Sequence, residues 1–354
     1  TYLGGPQTDY GHLKGTPGQG LQSIELAGPG NSPVIEYDEQ VTRAFETYIS
    51  DRSPQADQPL FITVGLYGPH PPFVSPPEQY EQALQAMIED DPLAPDALPR
   101  HPWIEHWFER LKADQITPEQ LRRARANYIG LVNRLDQLVG RIVEASKALP
   151  NDTWIVYVSD HGEMAGDKGM FWKRSFYEGA VRVPMIWYPL HQSGTGGMAR
   201  GTEIDTPVSL IDLAPTLLNV TKSPAPPGLD GHDLSPLLLG QGPAGTVWES
   251  EPAVFAELLT PQDSAIRMVR QGSYKLIYYH NYSPVQLFDL RTDPHETTNL
   301  AERNDYREIV RSLTELVLQG WEPDALIQAS ERRGLDQAFL TQWGRTVGYA
   351  CHEL

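Results

Sequence analysis

The spacing of apolar positions changes several times along the chain, and each change marks an element. From Glu36, residues Val41, Ala44, Phe45, Tyr48 and Ile49 recur at helical spacing and predict an amphipathic helix ending near Arg52. Leu60-Phe-Ile-Thr-Val-Gly-Leu-Tyr is a short apolar run and predicts a buried strand. It leads into Gly68-Pro-His-Pro-Pro-Phe, where proline cannot continue a strand, so His70 sits on a stiff loop at the strand's end. Ser75 to about Thr117 reads as irregular, with Trp103, Trp107 and Phe108 either lining a pocket or covering a core edge, and with His101 and His106 as structural residues. Thr117-Pro-Glu-Gln opens a long helix with a capping signature, and Leu121, Ala124, Tyr128, Leu131, Val132, Leu135, Leu138, Val139, Ile142 and Val143 mark its apolar face as far as Leu149. Trp154 to Val158 is too short for a buried helix and reads as an interior strand.

Downstream, Val183-Pro-Met-Ile-Trp predicts another short strand and Thr206 to Val220 a helix, before the turn-rich Ser223-Pro-Ala-Pro-Pro-Gly-Leu-Asp-Gly. From Ala253 the pattern turns to short strands: Ala253–Leu259, Ala265–Arg270, Tyr274–His280 and Gln286–Leu290. A helix from Glu302 to Gln319 would cover them. The expected fold class is α/β, a mixed sheet flanked by helices, with a smaller C-terminal subdomain of antiparallel sheet plus helix. The expected domains are residues 1–250, 251–320 and a packing or oligomerisation arm, 321–354. Within the first, residues 1 to about 35 form an irregular entry rich in Gly, Pro and Ser.

Composition narrows the function classes. The formal net charge of −18 and the lack of a basic stretch argue against nucleic acid or an anionic membrane as a partner. No apolar run approaches the roughly 18 to 20 residues of a membrane-spanning helix. Cys351, the single cysteine, excludes an intramolecular disulfide and all but excludes a cysteine-based metal site. That usage fits a cytosolic protein and also allows export. A chain this acidic that took an anionic ligand would have to gather positive charge locally, and Lys173 and Arg182 are candidates for that.

The candidate chemistry lies at the end of the Trp154–Val158 strand, in Ser159-Asp160-His161-Gly162. Adjacent side chains on a strand face opposite ways, so Asp160 and His161 can converge only if the chain turns, and Gly162 permits a turn. A carboxylate and an imidazole at the carboxyl end of a strand are divalent-metal ligand types in a place where α/β folds bind ligands. The alternative reading is a polar turn that caps the next segment.

The whole segment decides between them. Ser159-Asp-His-Gly-Glu, Gly169-Met-Phe-Trp-Lys, Ser175-Phe-Tyr-Glu and Val181-Arg-Val-Pro together resemble the metal-and-sulfate segment of the type I sulfatases of the alkaline phosphatase superfamily. The look is closest to the choline-sulfatase and phosphonate-monoesterase members. Gly68-Pro-His-Pro-Pro, Asp212-Leu-Ala-Pro-Thr-Leu-Leu, Leu229-Asp-Gly and Leu287-Phe-Asp-Leu-Arg-Thr-Asp-Pro-His-Glu-Thr-Thr-Asn-Leu resemble further family segments. The resemblance implies an alkaline-phosphatase-like sandwich and hydrolysis of sulfate esters, of choline type. It implies Asp160 and His161 as ligands of one divalent metal ion, and Lys173 and His70 as catalytic residues on the sulfate group and the leaving oxygen. Among Ca, Mn and Mg, a site with oxygen ligands and one imidazole favours Mn or Ca. A phosphonate monoester or phosphodiester hydrolase on the same scaffold is the alternative, and a sulfatase-like binding module without activity is a third.

The family's nucleophile, a formylglycine made in a Cys/Ser-x-Pro-x-Arg motif, has no counterpart here. Gly11-His-Leu-Lys holds the residue types of the family's Lys- and His-bearing loop in the wrong order, so His12 and Lys14 are given no role. The resemblance covers about residues 36 to 320 and only the later part of a sulfatase. The expectation is therefore that the chain is part of a longer enzyme whose earlier region supplies the nucleophile.

Overall fold

Five of the helices begin on proline, at Pro33, Pro77, Pro102, Pro118 and Pro323. A proline ring suits the first helical position because φ is already near the helical value and the missing N–H would have had no partner there. The computed structural model describes residues 20–52, 60–89, 100–149, 153–190, 201–239, 252–260 and 264–347. They divide into two compact units, residues 1–97 with 105–200, and residues 98–104 with 201–354.

The first unit contains α1 (Leu21–Glu25), β1 (Gly28–Pro29), α2 (Pro33–Asp51), β2 (Val74–Ser75), α3 (Pro77–Glu89), most of α4 (Pro102–Leu111), α5 (Pro118–Ser146), β3 (Trp154–Val158), α6 (Glu178–Val181) and β4 (Met185–Pro189). β1 pairs with β2 in parallel. β3 pairs antiparallel with β4, Trp154 opposite Pro189 and Val158 opposite Met185. The fold is thus mixed α/β.

α5 is the spine of this unit, and its start is secured as the capping signature predicts. The Gln120 N–H donates to Thr117 Oγ1 and the Thr117 N–H to Gln120 Oε1. Midway, the buried Asn127 Oδ1 accepts from both the N–H and the hydroxyl of Ser75, which ties β2 to the helix. Gly130 lies on the same face; a Cβ there would come within 2.5 Å of Ser75 Oγ. Arg141 forks onto Glu46, with contacts of 2.9 and 2.7 Å, and also contacts Glu39, joining α5 to α2.

Three expectations for this unit are corrected. Residues 60–67 run extended but join no ladder among the described residues, and Phe61 is 73% exposed. Apolar β-branched sequence sets an extended backbone locally, whereas a ladder needs a partner that no local signal supplies. The stretch after Ser75 is not irregular: α3 and α4 occupy much of it, because Pro77 and Pro102 start helices instead of breaking them. The inner face of α2 is Val34, Asp38, Thr42, Phe45 and Ile49, while Tyr48 is exposed.

The second unit holds α7 (Leu213–Val220), α8 (Ser235–Leu238), the meander β5 (Ala253–Thr260), β6 (Ser264–Gln271), β7 (Tyr274–Tyr279) and β8 (Gln286–Asp289), then α9 (Arg307–Leu318) and α10 (Pro323–Thr346). The four strands are antiparallel in sequence order. Val269, Leu276 and Leu287 from the sheet pack with Leu300, and with Leu313 and Val317 from α9. Lys275 and Glu296 form a buried ion pair, 0% and 2% exposed at the side chain. The helix expected over Thr206–Val220 starts only at Leu213: residues 210–212 form a tighter 3-10 turn capped by Ser209 and Asp212, and Ile211 is exposed.

The aromatics of α4 are core residues, with Trp103, Trp107 and Phe108 all buried. His101 is structural, as expected. Its ring stacks on Tyr279 at 3.8 Å, its Nε2 lies 2.7 Å from the Pro284 carbonyl oxygen, and its Nδ1 accepts the Trp103 N–H. No helix among the described residues is long and apolar enough to cross a membrane.

Candidate functional site

β3 delivers Asp160 and His161 by ending at Val158, where residue 160 bends out of the strand direction. The Ser159 hydroxyl donates to the His161 carbonyl and the His161 N–H donates to Asp160 Oδ1 at 2.9 Å, so the bend is held by its own polar groups. Gly162 is needed here for a close approach. Its N–H donates to the Ala180 carbonyl at 2.8 Å, and a Cβ would stand 2.1 Å from the Gly179 carbonyl oxygen.

The result brings the two side chains together. His161 Nε2 lies 3.6 Å from Asp160 Oδ2, too far for a hydrogen bond and close enough for both atoms to share one cation. His161 Nδ1 is 2.9 Å from the Gly162 carbonyl oxygen and donates to it, which fixes the tautomer with the Nε2 lone pair available. The Asp160 side chain is 85% exposed and open to a ligand. These features fit two donors of a metal site, and among the described residues no cluster of three His, Cys, Asp or Glu side chains forms.

Lys173 arrives on a knotted loop. Residues Ala165, Gly166, Lys168, Gly169 and Trp172 all have positive φ, and Met164, Met170, Phe171 and Trp172 are buried as its plug. Glu163 closes the knot: its Oε1 accepts the Ala165 N–H at 3.0 Å and also the Trp172 N–H. Burial pushes the Glu163 carboxyl up to about 7, against the two N–H donors and the charge of Lys173. Burial likewise lowers the Lys173 ammonium, while Asp160 and Glu163 pull it back up.

His70 follows the extended 60–67 segment. Its N–H donates to the Tyr67 carbonyl and its ring meets the Tyr67 ring edge-on at 4.7 Å. Nδ1, 2.7 Å from the Pro71 carbonyl oxygen, donates to it. Burial lowers the imidazole pKa, and Lys173 and His161 lower it further, while the Pro71 bond and Asp160 raise it. His70 thus feels Asp160, His161 and Lys173 together, and all four belong to the first unit. Arg182 stands at the C-cap of α6. His12, Lys14 and Cys351 lie outside the described residues.

Asp38 shapes the same place and was not singled out by the sequence. On the inner face of α2 and 3% exposed, it accepts the Tyr67 N–H at 2.6 Å and the Gly68 N–H at 2.8 Å. Burial raises its pKa to about 6, against those two donors and the charge of Arg134. An acidic residue in the buried stripe of an amphipathic helix is the signal that points to it.

The sulfatase family model matches residues 17–223, and a model described as N-sulphoglucosamine sulphohydrolase, C-terminal, matches residues 166–321. The choline-sulfatase of Rhizobium meliloti (strain 1021) is 30% identical over 311 residues, which cover 83% of this chain and 56% of that protein. Arylsulfatase K of Gallus gallus is 28% identical over 329 residues, covering 84% and 58%. The crystal structure of the phosphonate monoester hydrolase of Agrobacterium radiobacter superimposes with a TM-score of 0.63 at 25% identity, over 82% of this chain and 60% of that one. The chain therefore spans little more than half the length of these curated relatives, whose family generally uses a divalent metal. With the sulfatase model covering residues 17–223 and an alkaline-phosphatase-like fold, the chain belongs to the sulfatase family.

Proposed function

We propose that this protein is a metal-dependent hydrolase of sulfate esters, with Asp160 and His161 as metal ligands and with Lys173 and His70 contacting the substrate. The observation that carries the reading is the pairing of Asp160 and His161 at the end of β3 in a sulfatase-family chain, with the charges of Asp160, His161 and Lys173 acting on His70 in the same unit. Asp160 and His161 would hold a divalent cation, Ca, Mn or Mg, which would supply positive charge to the ester. Lys173 places an ammonium on a sulfate oxygen, and its partial burial strengthens that attraction by removing water. As the imidazolium, which the Pro71 bond and Asp160 favour against burial, His70 donates its Nε2 proton to the leaving oxygen and remains neutral with its Nδ1–H on the Pro71 carbonyl. The nucleophile is a residue other than these four. In a chain of net charge −18, this local gathering of cations is what admits an anion.

The choline-sulfatase likeness supports an ester of choline type, and the phosphonate monoester hydrolase likeness supports a second reading, turnover of phosphonate monoesters or phosphodiesters. The test is a rate panel of choline sulfate, 4-nitrophenyl sulfate and a phenyl phosphonate ester on the intact protein. Each is run before and after chelation and with Ca, Mn or Mg restored, alongside peptide mass mapping for formylglycine. Sulfate turnover that disappears on chelation supports the first reading, and faster phosphonate turnover favours the second. Failure to hydrolyse either class with metal supplied would overturn both. A homo-oligomer formed through the C-terminal arm is supported by the exposed Leu335, Phe339, Leu340 and Trp343 of α10, and light scattering measures it.

A further inference from the structure

We propose that Asp38 is the positioning residue for His70: its carboxylate fixes the backbone of Tyr67 and Gly68 and thereby sets where the imidazole stands. The inference rests on the hydrolase reading above for its kinetic consequence, and on geometry alone for its structural one. The two carboxylate oxygens of Asp38 reach 29 and 30 residues along the chain to consecutive N–H groups. Those two groups belong to a segment that joins no ladder among the described residues, so the carboxylate acts where a neighbouring strand would otherwise hold the backbone.

The path from Asp38 to His70 is short and rigid at each step. Tyr67, held by its N–H, returns its carbonyl to the His70 N–H, and its ring packs edge-on against the imidazole. Gly68 gives the carboxylate room, since a Cβ there would lie 2.8 Å from Asp38 Oδ2. On the other side of α2, Glu39 takes Arg134 and Arg141, so Asp38 itself is left to the two backbone donors, with Arg134 acting on it through its charge. Nothing in this arrangement places Asp38 on the substrate. Its effect must pass through His70.

A residue that works through a leaving-group acid has a signature that a merely structural residue lacks. Losing the acid slows esters with basic alkoxide leaving groups and spares those with acidic phenols, because the latter depart without a proton. Asp38→Ala and Asp38→Asn in the intact protein should lower kcat by roughly 10- to 100-fold for an alkyl sulfate and by less than about threefold for 4-nitrophenyl sulfate, with KM little changed. Asn, which keeps one acceptor, should lose less than Ala. Combining Asp38→Ala with His70→Ala should add almost nothing to the loss from His70→Ala alone. A uniform loss across leaving groups, or additive losses, would overturn the proposal.

A second measurement needs no turnover. In protein labelled with ¹⁵N-histidine, the His70 ring signals, assigned through His70→Gln, should move or broaden in Asp38→Ala while the other imidazoles hold their positions. An unmoved His70 signal in folded Asp38→Ala overturns the proposal. Where Asp38→Ala does not fold, Gly68→Ala presses the same contact from the other side and is read identically. If the wild type hydrolyses no ester, the hydrolase reading fails, and the imidazole spectra still decide for or against Asp38.

Discussion

Gly162→Ala tests the account of how Asp160 and His161 are brought together. The added methyl would stand 2.1 Å from the Gly179 carbonyl oxygen, and 3.1 and 3.3 Å from the carbonyl carbons of Gly179 and Ala180. These are backbone atoms, so no side-chain rotation relieves the clash. Either residue 162 or the start of α6 must withdraw by more than about 1 Å to restore ordinary contact, and overpacking of that kind costs about 1–3 kcal/mol. The withdrawal also breaks the 2.8 Å bond from the Gly162 N–H to the Ala180 carbonyl, a further loss of about 0.5–1.5 kcal/mol. The sum, about 1.5–4.5 kcal/mol, corresponds to a fall in Tm of about 3–18 °C for a unit of this size.

The same displacement carries Asp160 and His161 with it, since the His161 tautomer depends on the Gly162 carbonyl. Affinity for Mn or Ca, measured by calorimetry, should fall by about 10- to 100-fold, as when a group that orients a metal ligand is lost. Gly140→Ala is the internal control. It lies exposed within α5 with nothing within 4 Å of a new Cβ, so helix propensity alone should stabilise it by up to about 1 kcal/mol. Thermal denaturation of the two variants should move in opposite directions. A Gly162→Ala protein as stable as the wild type, with metal affinity unchanged, would refute the reasoning.

Asp38 ionises near 6 in the fold against an ordinary 3.8, so its contribution is complete at acid pH and is lost as pH rises from about 4 through 6, a change of about 3 kcal/mol. Asp38→Asn should lack that component of the pH dependence in urea denaturation, and parallel curves would contradict it. His101 runs the other way: burial depresses its pKa below the ordinary 6.5, so its stabilising effect is full above that value and declines as pH falls through the folded pKa. His101→Gln should flatten the stability profile between pH 5 and about 6.5, read from Tm. Breaking the buried Lys275–Glu296 pair from one side, as in Glu296→Gln or Lys275→Met, should cost about 3–5 kcal/mol. The double change Lys275→Met with Glu296→Leu should cost less than either single change in a denaturant cycle.

What was legible in the sequence follows from how far each determinant lies along the chain. The start of α5 is written within four residues, Thr117 to Gln120, and the meander β5–β8 is joined by turns such as Gln271-Gly272-Ser273, so both stand where local pattern puts them. Asp160, His161 and Lys173 are visible because fourteen residues of one segment hold them all. The 60–67 segment carries a strand pattern yet joins no ladder among the described residues, because pairing is decided by residues elsewhere, and α3 and α4 are hard to read because Pro77 and Pro102 act as first helical residues.

The carboxylates beneath the site were hidden for a related reason. Asp38 and Glu163 do their work on backbone N–H groups, which every residue but proline possesses, so no residue type at the far end of the contact betrays them. A motif therefore shows which groups meet the substrate, while the groups that fix their positions are found where an acid side chain is hydrogen-bonded to main-chain N–H groups. By that criterion the two loops of this site share one construction. Each carries a single functional side chain, and each is pinned a few residues upstream of it by a buried carboxylate that accepts two main-chain donors. Such pinning holds the two loops in place and leaves His70 Nε2 and the Lys173 ammonium for an anion, while His70 Nδ1 stays on the Pro71 carbonyl.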